Sequence, residues 1–335
     1  MIQKIIDLEM LKNFNKKNNI CTFTQSYEYL VFLQQKNIQA ELIGELKNNQ
    51  LISSCVYSIY SAKRGKVLQV LHGPIIIGHN PTIYKQYLTI LKNIATQNKC
   101  DFIRINPICN KTIDNEKIFR DNKFLSTAFE NMFSRTSILD IKGKSLKDLQ
   151  QNFHTNLNNN LKKLLELEKS NHIKIVIDKN LDNNCKTILE QSKIEEQGFD
   201  SIDKTTSYYG NINKGFVVKL YYKNQLTGFQ TYVINNKYIC NHHGTSSNIK
   251  KDLNIDQLIH YKAILHALEL QLETFDFWGV CDPDNNRHPW FSSSNLVREF
   301  GGEEYIYLAG QDLALTPKYW LTNLYEKCQK LKRGH

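Results

Sequence analysis

What this chain lacks narrows its class before anything it contains. The 335 residues hold only six prolines and no proline-, glycine- or serine-rich stretch, so no flexible linker marks a domain boundary. No run approaches the ~18 apolar residues that a membrane-spanning helix requires. The opening residues, Met1 to Asp7, place Lys4 inside their only apolar run, which argues against a secretory signal. The eight cysteines (Cys21, Cys55, Cys100, Cys109, Cys185, Cys240, Cys281, Cys328) lie far apart without a C-x-x-C pair. That spacing disfavours both a disulfide framework and a zinc site. Free thiols in a reducing compartment are expected, and with them a cytoplasmic location.

Positive charge is in excess, 43 Lys and Arg against 33 Asp and Glu, yet it is dispersed along the chain. Either an anionic partner is served by this balance, or a lysine- and asparagine-rich composition scatters Lys over every solvated surface. Asp282, Asp284 and Asn286 share the 1-3-5 spacing of a calcium loop, but Arg287 stands where glycine is required and Ser293 where glutamate is. His242-His243 is too short a cluster for zinc, and no cysteine sits in an activating context. No cofactor or metal is expected.

Helix and strand signals alternate. Thr24-Gln25-Ser26 can cap a helix through Tyr27, Leu30 and Leu33, and strands are expected at 40–46, 51–60 and 67–71. Asn80-Pro81 opens a helix whose buried face is Ile83, Tyr87, Leu91 and Ile94, followed by a strand at 101–105. The second half repeats this grammar. One basic helix is expected over 145–169, a strand at 173–177, two helices ending near Tyr208-Tyr209, and strands at 216–222, 228–235 and 237–241. A helix over 255–272 then leads into a strand at 274–277. The predicted class is α/β with two acetyltransferase-like (GNAT-like) domains, each a mixed, mainly antiparallel sheet flanked by helices. The first domain is placed at 1–145, the second at 146–316, and a final helix within 317–335 is expected to return to the first.

A series of motifs, in order along the chain, carries a resemblance to a known family. Phe23-Thr24-Gln25-Ser26-Tyr27-Glu28-Tyr29 is similar to F-x-Q-S-W-E-W, His72-Gly73-Pro74 to R-G-P, and Phe102-Ile103-Arg104-Ile105-Asn106-Pro107 to L-R-I-D-P. His243-Gly244-Thr245-Ser246-Ser247-Asn248 resembles a Y-G-A-S-S-N turn, and the segment after it follows the family helix and strand. Asp276-Phe277-Trp278-Gly279, His288-Pro289-Trp290 and Phe300-Gly301-Gly302 complete the series. The chain thus resembles the Fem aminoacyltransferases (FemX, FemA, FemB), some of which carry a coiled-coil arm. No sustained heptad repeat occurs here, so the armless form is expected.

The resemblance implies transfer of an amino acid from aminoacyl-tRNA to the stem peptide of a peptidoglycan precursor, lipid II or UDP-MurNAc-peptide, with peripheral contact at the inner membrane face. The departures matter as much as the matches. Without gaps, Val297 falls on a family lysine with Arg298 next to it, Leu33 falls on another, and a family arginine falls near Glu196. The basic T-R-Y-N-I-R motif is only loosely echoed at 157–163. Asp276 and Arg298 are the expected catalytic residues, although Asp276 can equally cap the turn after its strand and Arg298 can be a solvated helix residue. Gln25, Tyr27, Arg104, Tyr208, Tyr209, Ser246 and Trp278 are the expected substrate-binding residues. For each a plainer role stands beside it: packing for Tyr208, Tyr209 and Trp278, turn formation for Ser246 and Ser247, and for Arg104 an ion pair joining the domains. Two other functions remain open. One is acyl transfer from acyl-coenzyme A, but the Q/R-x-x-G-x-G/A turn that would cradle its pyrophosphate is missing. The other is a relative that binds without catalysing.

Overall fold

Short asparagine turns and side-chain caps set most element boundaries in the computed structural model, which describes residues 2–18, 22–62, 65–78, 80–128, 132–192, 199–246 and 253–333. The chain begins with β1 (Ile2–Lys4), α1 (Glu9–Asn18), a 3-10 turn (Phe23–Gln25), α2 (Tyr27–Gln35), β2 (Gln39–Lys47), β3 (Gln50–Ala62), β4 (Gly65–Leu71) and β5 (Ile75–Ile76). It continues with α3 (Pro81–Gln97), β6 (Phe102–Asn106), α4 (Ile113–Asp121) and β7 (Leu125–Ser126). Next come β8 (Arg135–Asp140), α5 (Leu146–Gln150), α6 (Thr155–Lys169), β9 (Ile173–Asp178), α7 (Asn183–Gln191) and α8 (Phe199–Asn211). β10 (Gly215–Tyr222), β11 (Gln225–Asn235), β12 (Tyr238–Ser246), α9 (Ile255–Glu269), β13 (Thr274–Gly279), α10 (Phe291–Arg298) and β14 (Glu303–Ile306) follow, then β15 (Gln311–Ala314) and α11 (Tyr319–Arg333).

Two compact units result. One comprises Met1–Arg135, Asp284–Pro289 and Tyr305–His335; the other comprises Thr136–Pro283 and Trp290–Glu304. The first has an eight-stranded sheet ordered β1-β2-β3-β4-β6-β15-β7, with β5 on β3. The second has a seven-stranded sheet ordered β14-β8-β13-β12-β11-β10-β9. Each sheet sets one parallel pair, β4 with β6 and β12 with β13, among antiparallel ones. A parallel pair needs a crossover, and a single helix supplies it each time, α3 and α9. Both units are GNAT-like, a mixed sheet flanked by helices.

The local chemistry explains the hairpins. Asn48 and Asn49 (φ 49° and 59°) join β2 to β3, and Lys223 and Asn224 (φ 49° and 66°) join β10 to β11. Asparagine tolerates this left-handed backbone, which matches the twist of a two-residue hairpin. The Ser26 hydroxyl accepts from the Tyr29 amide at 3.1 Å and starts α2. Asn80 accepts from Thr82 and Ile83 at 2.9 and 3.4 Å and starts α3.

The first core packs α3 and α4 on one face of their sheet through Leu68, Ile103, Tyr87, Leu91 and Phe119. In the second unit α6 and α9 cover one face through Leu161, Val218, Ile264 and Phe275, while α7 and α8 cover the other through Cys185, Ile202, Val217 and Phe229. Two expectations change. The helix expected over 145–169 is split into α5 and α6. Between them Phe153 turns inward onto Phe300 (5.2 Å, edge-on), and the His154 amide donates to Glu299 O at 2.9 Å, a bond no continuous helix permits. The expected turn at 243–246 is strand, because β12 stays paired with β11 as far as Ser246 opposite Gly228.

Candidate functional site

In the second unit β12 and β13 pair only over Tyr238–Cys240 against Thr274–Asp276, and then part. Asp276 sits where they separate. It opposes Cys240 and so lies on the face covered by α7 and α8, with 2% of its surface exposed. Its carboxylate accepts from the Thr136 and Tyr238 hydroxyls and from the Trp278 amide at 2.7 Å. Burial pushes its pKa up to about 6, against the opposing pull of those three donors. A carboxyl titrating there exchanges its proton close to neutral pH.

Beyond Asp276 the pairing of β13 with β8 is broken by a bulge, and Trp278 takes φ 66°, a strained value for a bulky residue. Polar side chains fix this corner residue by residue. The Thr136 hydroxyl reaches Trp278 O at 2.8 Å, Ser294 Oγ accepts from the Cys281 amide at 2.9 Å, and the Arg298 guanidinium donates to Cys281 O. Arg298 also pairs with Glu304 and donates to Asn295 Oδ1 at 3.0 Å. Asp276 and Arg298 therefore serve one feature, the Trp278–Cys281 backbone.

Of the tyrosine pair on α8, Tyr209 is buried and Tyr208 half-buried, the rings meeting edge-on at 5.3 Å. Ser246 donates to Asp256 Oδ2 at 2.7 Å, and Gln230 holds the other oxygen at 3.5 Å while accepting from Asn241 at 3.0 Å. Burial raises the Asp256 pKa. On the same α9 side Tyr232 and His260 Nδ1 lie 2.9 Å apart, and burial pushes the His260 pKa down to about 3, leaving the ring neutral. Sequence reasoning missed Thr136, Tyr238, Asp256 and His260. Asp256 alone left a trace, an acid in the first turn of a helix.

The first unit holds the other named residues. Gln25 is fully buried, and its side chain bonds to backbone: its amide donates to Val56 O (3.0 Å) and Leu71 O (2.7 Å), and its side-chain carbonyl accepts from the Val56 amide (2.8 Å). Tyr27 is half-buried, with Lys12 Nζ 5.6 Å above its ring. Arg104 grips Asp312 twice, at 2.8 and 2.7 Å, and Glu326 twice, at 3.0 and 2.8 Å. All three of these residues belong to the first unit, so this ion pair ties β6 to β15 and α11. Leu33 and Val297, at the family lysine positions, are 6% and 7% exposed in apolar packing. Glu196, Ser247 and Asn248 lie outside the described residues. The described cysteines are free, buried except for Cys328, and among the described residues no three His, Cys, Asp or Glu gather to hold a metal ion.

The sequence profile of the FemAB family matches residues 6–229, two-thirds of the chain. The chain belongs to the FemAB family. No curated protein matches it. Among solved structures, FemX superimposes with a TM-score of 0.76 at 12% identity, over 97% of this chain and 100% of that one. A tandem GNAT protein from the clavulanic acid biosynthesis pathway gives 0.60 at 9% identity, covering 95% and 99%. The C-terminal domain of a putative lysylphosphatidylglycerol synthetase from Agrobacterium fabrum gives 0.53 at 9%, covering 95% and 96%. At such identities the likeness concerns the fold, two GNAT-like domains in tandem.

Proposed function

We propose that this FemAB chain is an aminoacyltransferase that moves an amino acid from aminoacyl-tRNA to an amine on the stem peptide of a peptidoglycan precursor. The match to the FemAB family over residues 6–229 carries this reading, and the FemX-like fold along nearly the whole chain supports it. The donor ester is already activated. The acceptor nitrogen attacks its carbonyl carbon, the bond to the ribose oxygen breaks, and a proton passes from the amine to that oxygen. Such a site has to align two substrates and stabilise the oxyanion; alignment alone is worth about 7–11 kcal/mol in the best intramolecular cases. No covalent enzyme intermediate is required.

In this reading Asp276 and Arg298 are positioning residues. They hold the Trp278–Cys281 corner in its left-handed turn, with the Tyr238 hydroxyl fixing the Asp276 carboxylate. Tyr27, Tyr208, Ser246 and Trp278, which keep part of their surface, bind substrate. Gln25, Arg104 and Tyr209, whose side chains are buried, shape the surfaces around them. No metal or coenzyme takes part, and the donor tRNA places the reaction in the cytoplasm. The GNAT-like neighbours favour acyl-coenzyme A as the second reading.

The test is transfer of a labelled amino acid from charged tRNAs to lipid II or UDP-MurNAc-pentapeptide, with Asp276→Asn and Arg298→Ala beside the wild type. Label in the precursor, reduced in both variants, supports the assignment. Transfer only from acyl-coenzyme A selects the second reading. Binding of precursor without transfer from either donor identifies a relative that binds without catalysing, as buried apolar residues at the family lysine positions would suit.

A further inference from the structure

Helix α11 is amphipathic in the wrong sense for a surface helix. Its inward side is polar: Tyr319, Thr322 and Asn323 are buried, and Glu326 turns in to Arg104. Its outward side is apolar. Trp320 is 53% exposed, Leu321 66%, Leu324 62%, Tyr325 42% and Leu331 86%, and the exposed Cys328 lies among them. At 3.6 residues per turn these six positions share an arc of about 140°. Lys327 borders that arc on one side and Lys332 lies near its other edge, both exposed, while Lys318 before the helix pairs with Asp101 at 3.6 Å. Glu326 is the helix's one acid, and it is spent on Arg104, so the outer face carries positive charge alone.

We infer that α11 is a membrane-surface helix, lying flat on an anionic lipid leaflet with its apolar arc below the headgroups. The charge decides the occupant. A second copy laid face to face would set lysines against lysines, whereas acidic lipid complements them, and Trp and Tyr beside Lys are the residues that settle at a bilayer interface. Fifteen residues span about 22 Å, and no described helix is apolar enough to cross a bilayer, so the helix lies on the membrane and does not span it. The Arg104 clamp supplies the anchor that keeps the polar side on the protein. The inference deepens the transferase reading by assigning to α11 the membrane contact that reading expects, and its own observations are those of the helix alone.

Vesicle flotation of the full chain tests it, with phosphatidylcholine alone and with about a third phosphatidylglycerol. Wild type is expected to float with the anionic vesicles only. The double variant Leu321→Glu/Leu324→Glu, altered only at exposed positions, and Lys327→Glu/Lys332→Glu should each lose about tenfold in partitioning, with circular dichroism and melting unchanged. Floating that depends on the lysines but not on the leucines would overturn the inference in favour of diffuse attraction. No floating, with wild-type dimers that the leucine variant dissolves in sedimentation, would overturn it in favour of self-association. The assay reads no transfer, so a failed transfer reaction with intact floating, or the reverse, separates the two readings.

Discussion

Replacing Asp276 by asparagine should change how stability depends on pH more than it changes stability itself. The carboxyl is enclosed, and burial pushes its pKa up to about 6 in the folded chain, against the ordinary aspartate value of 3.8. The folded state therefore holds this proton more tightly than the unfolded state does. The contribution is fully present below about pH 4 and is lost as pH rises through about 6. That difference in proton affinity corresponds to about 3 kcal/mol. Asparagine keeps the size and one acceptor but does not titrate. Relative to wild type, then, Asp276→Asn should gain about 3 kcal/mol between pH 4 and pH 7. Urea unfolding at a series of pH values, followed by tryptophan fluorescence, measures this directly. A flat difference would show that the three donors cancel burial. A difference of opposite slope would show that they outweigh it, and either result refutes the reasoning.

Arg104→Met retains the aliphatic stem but strands Asp312, whose side chain is fully buried, beside Glu326; a loss of about 3–5 kcal/mol is expected in urea unfolding. The same change should release α11, read as faster cleavage by trypsin after Lys327 and Lys330. Gln25→Ala removes the side-chain partner of the buried Val56 amide and carbonyl, while Leu71 O keeps the Thr24 hydroxyl at 3.1 Å; a cost of about 2 kcal/mol is expected, read in thermal melting. Gly301→Ala combines φ 73° with a Cβ only 2.5 Å from Asn152 O, so the backbone has to move; a loss of about 2 kcal/mol or more is expected, again in melting.

What was legible in the sequence was what is decided locally. Asn80-Pro81, Ser26 and the asparagine turns act within a few residues, and each sets an element boundary where its chemistry requires one. The tandem GNAT-like order was legible for the same reason, since a strand, a crossover helix and a parallel strand recur as a run. Residues 113–140 and 303–314 gave no readable pattern. Their strands are four to six residues or shorter and are defined by partners far along the chain, β15 by β6 and β8 by β13.

The same distinction separates finding a residue from knowing what it does. Asp276 and Arg104 stood out through the family motifs that hold them, each a charged residue in a short strand. What each one does is decided elsewhere in the chain: Thr136 is 140 residues from Asp276, and Asp312 is 208 from Arg104. No spacing rule reaches that far. Leu33 and Val297 show the converse. As departures from the family pattern they read as lost charges, but both lie in apolar packing, where a lysine would have to be desolvated. These positions are now part of the core, so restoring a lysine at either would cost stability before it could return a substrate contact. A phosphate-linked precursor, if this chain binds one, has to be gripped by cations other than those two.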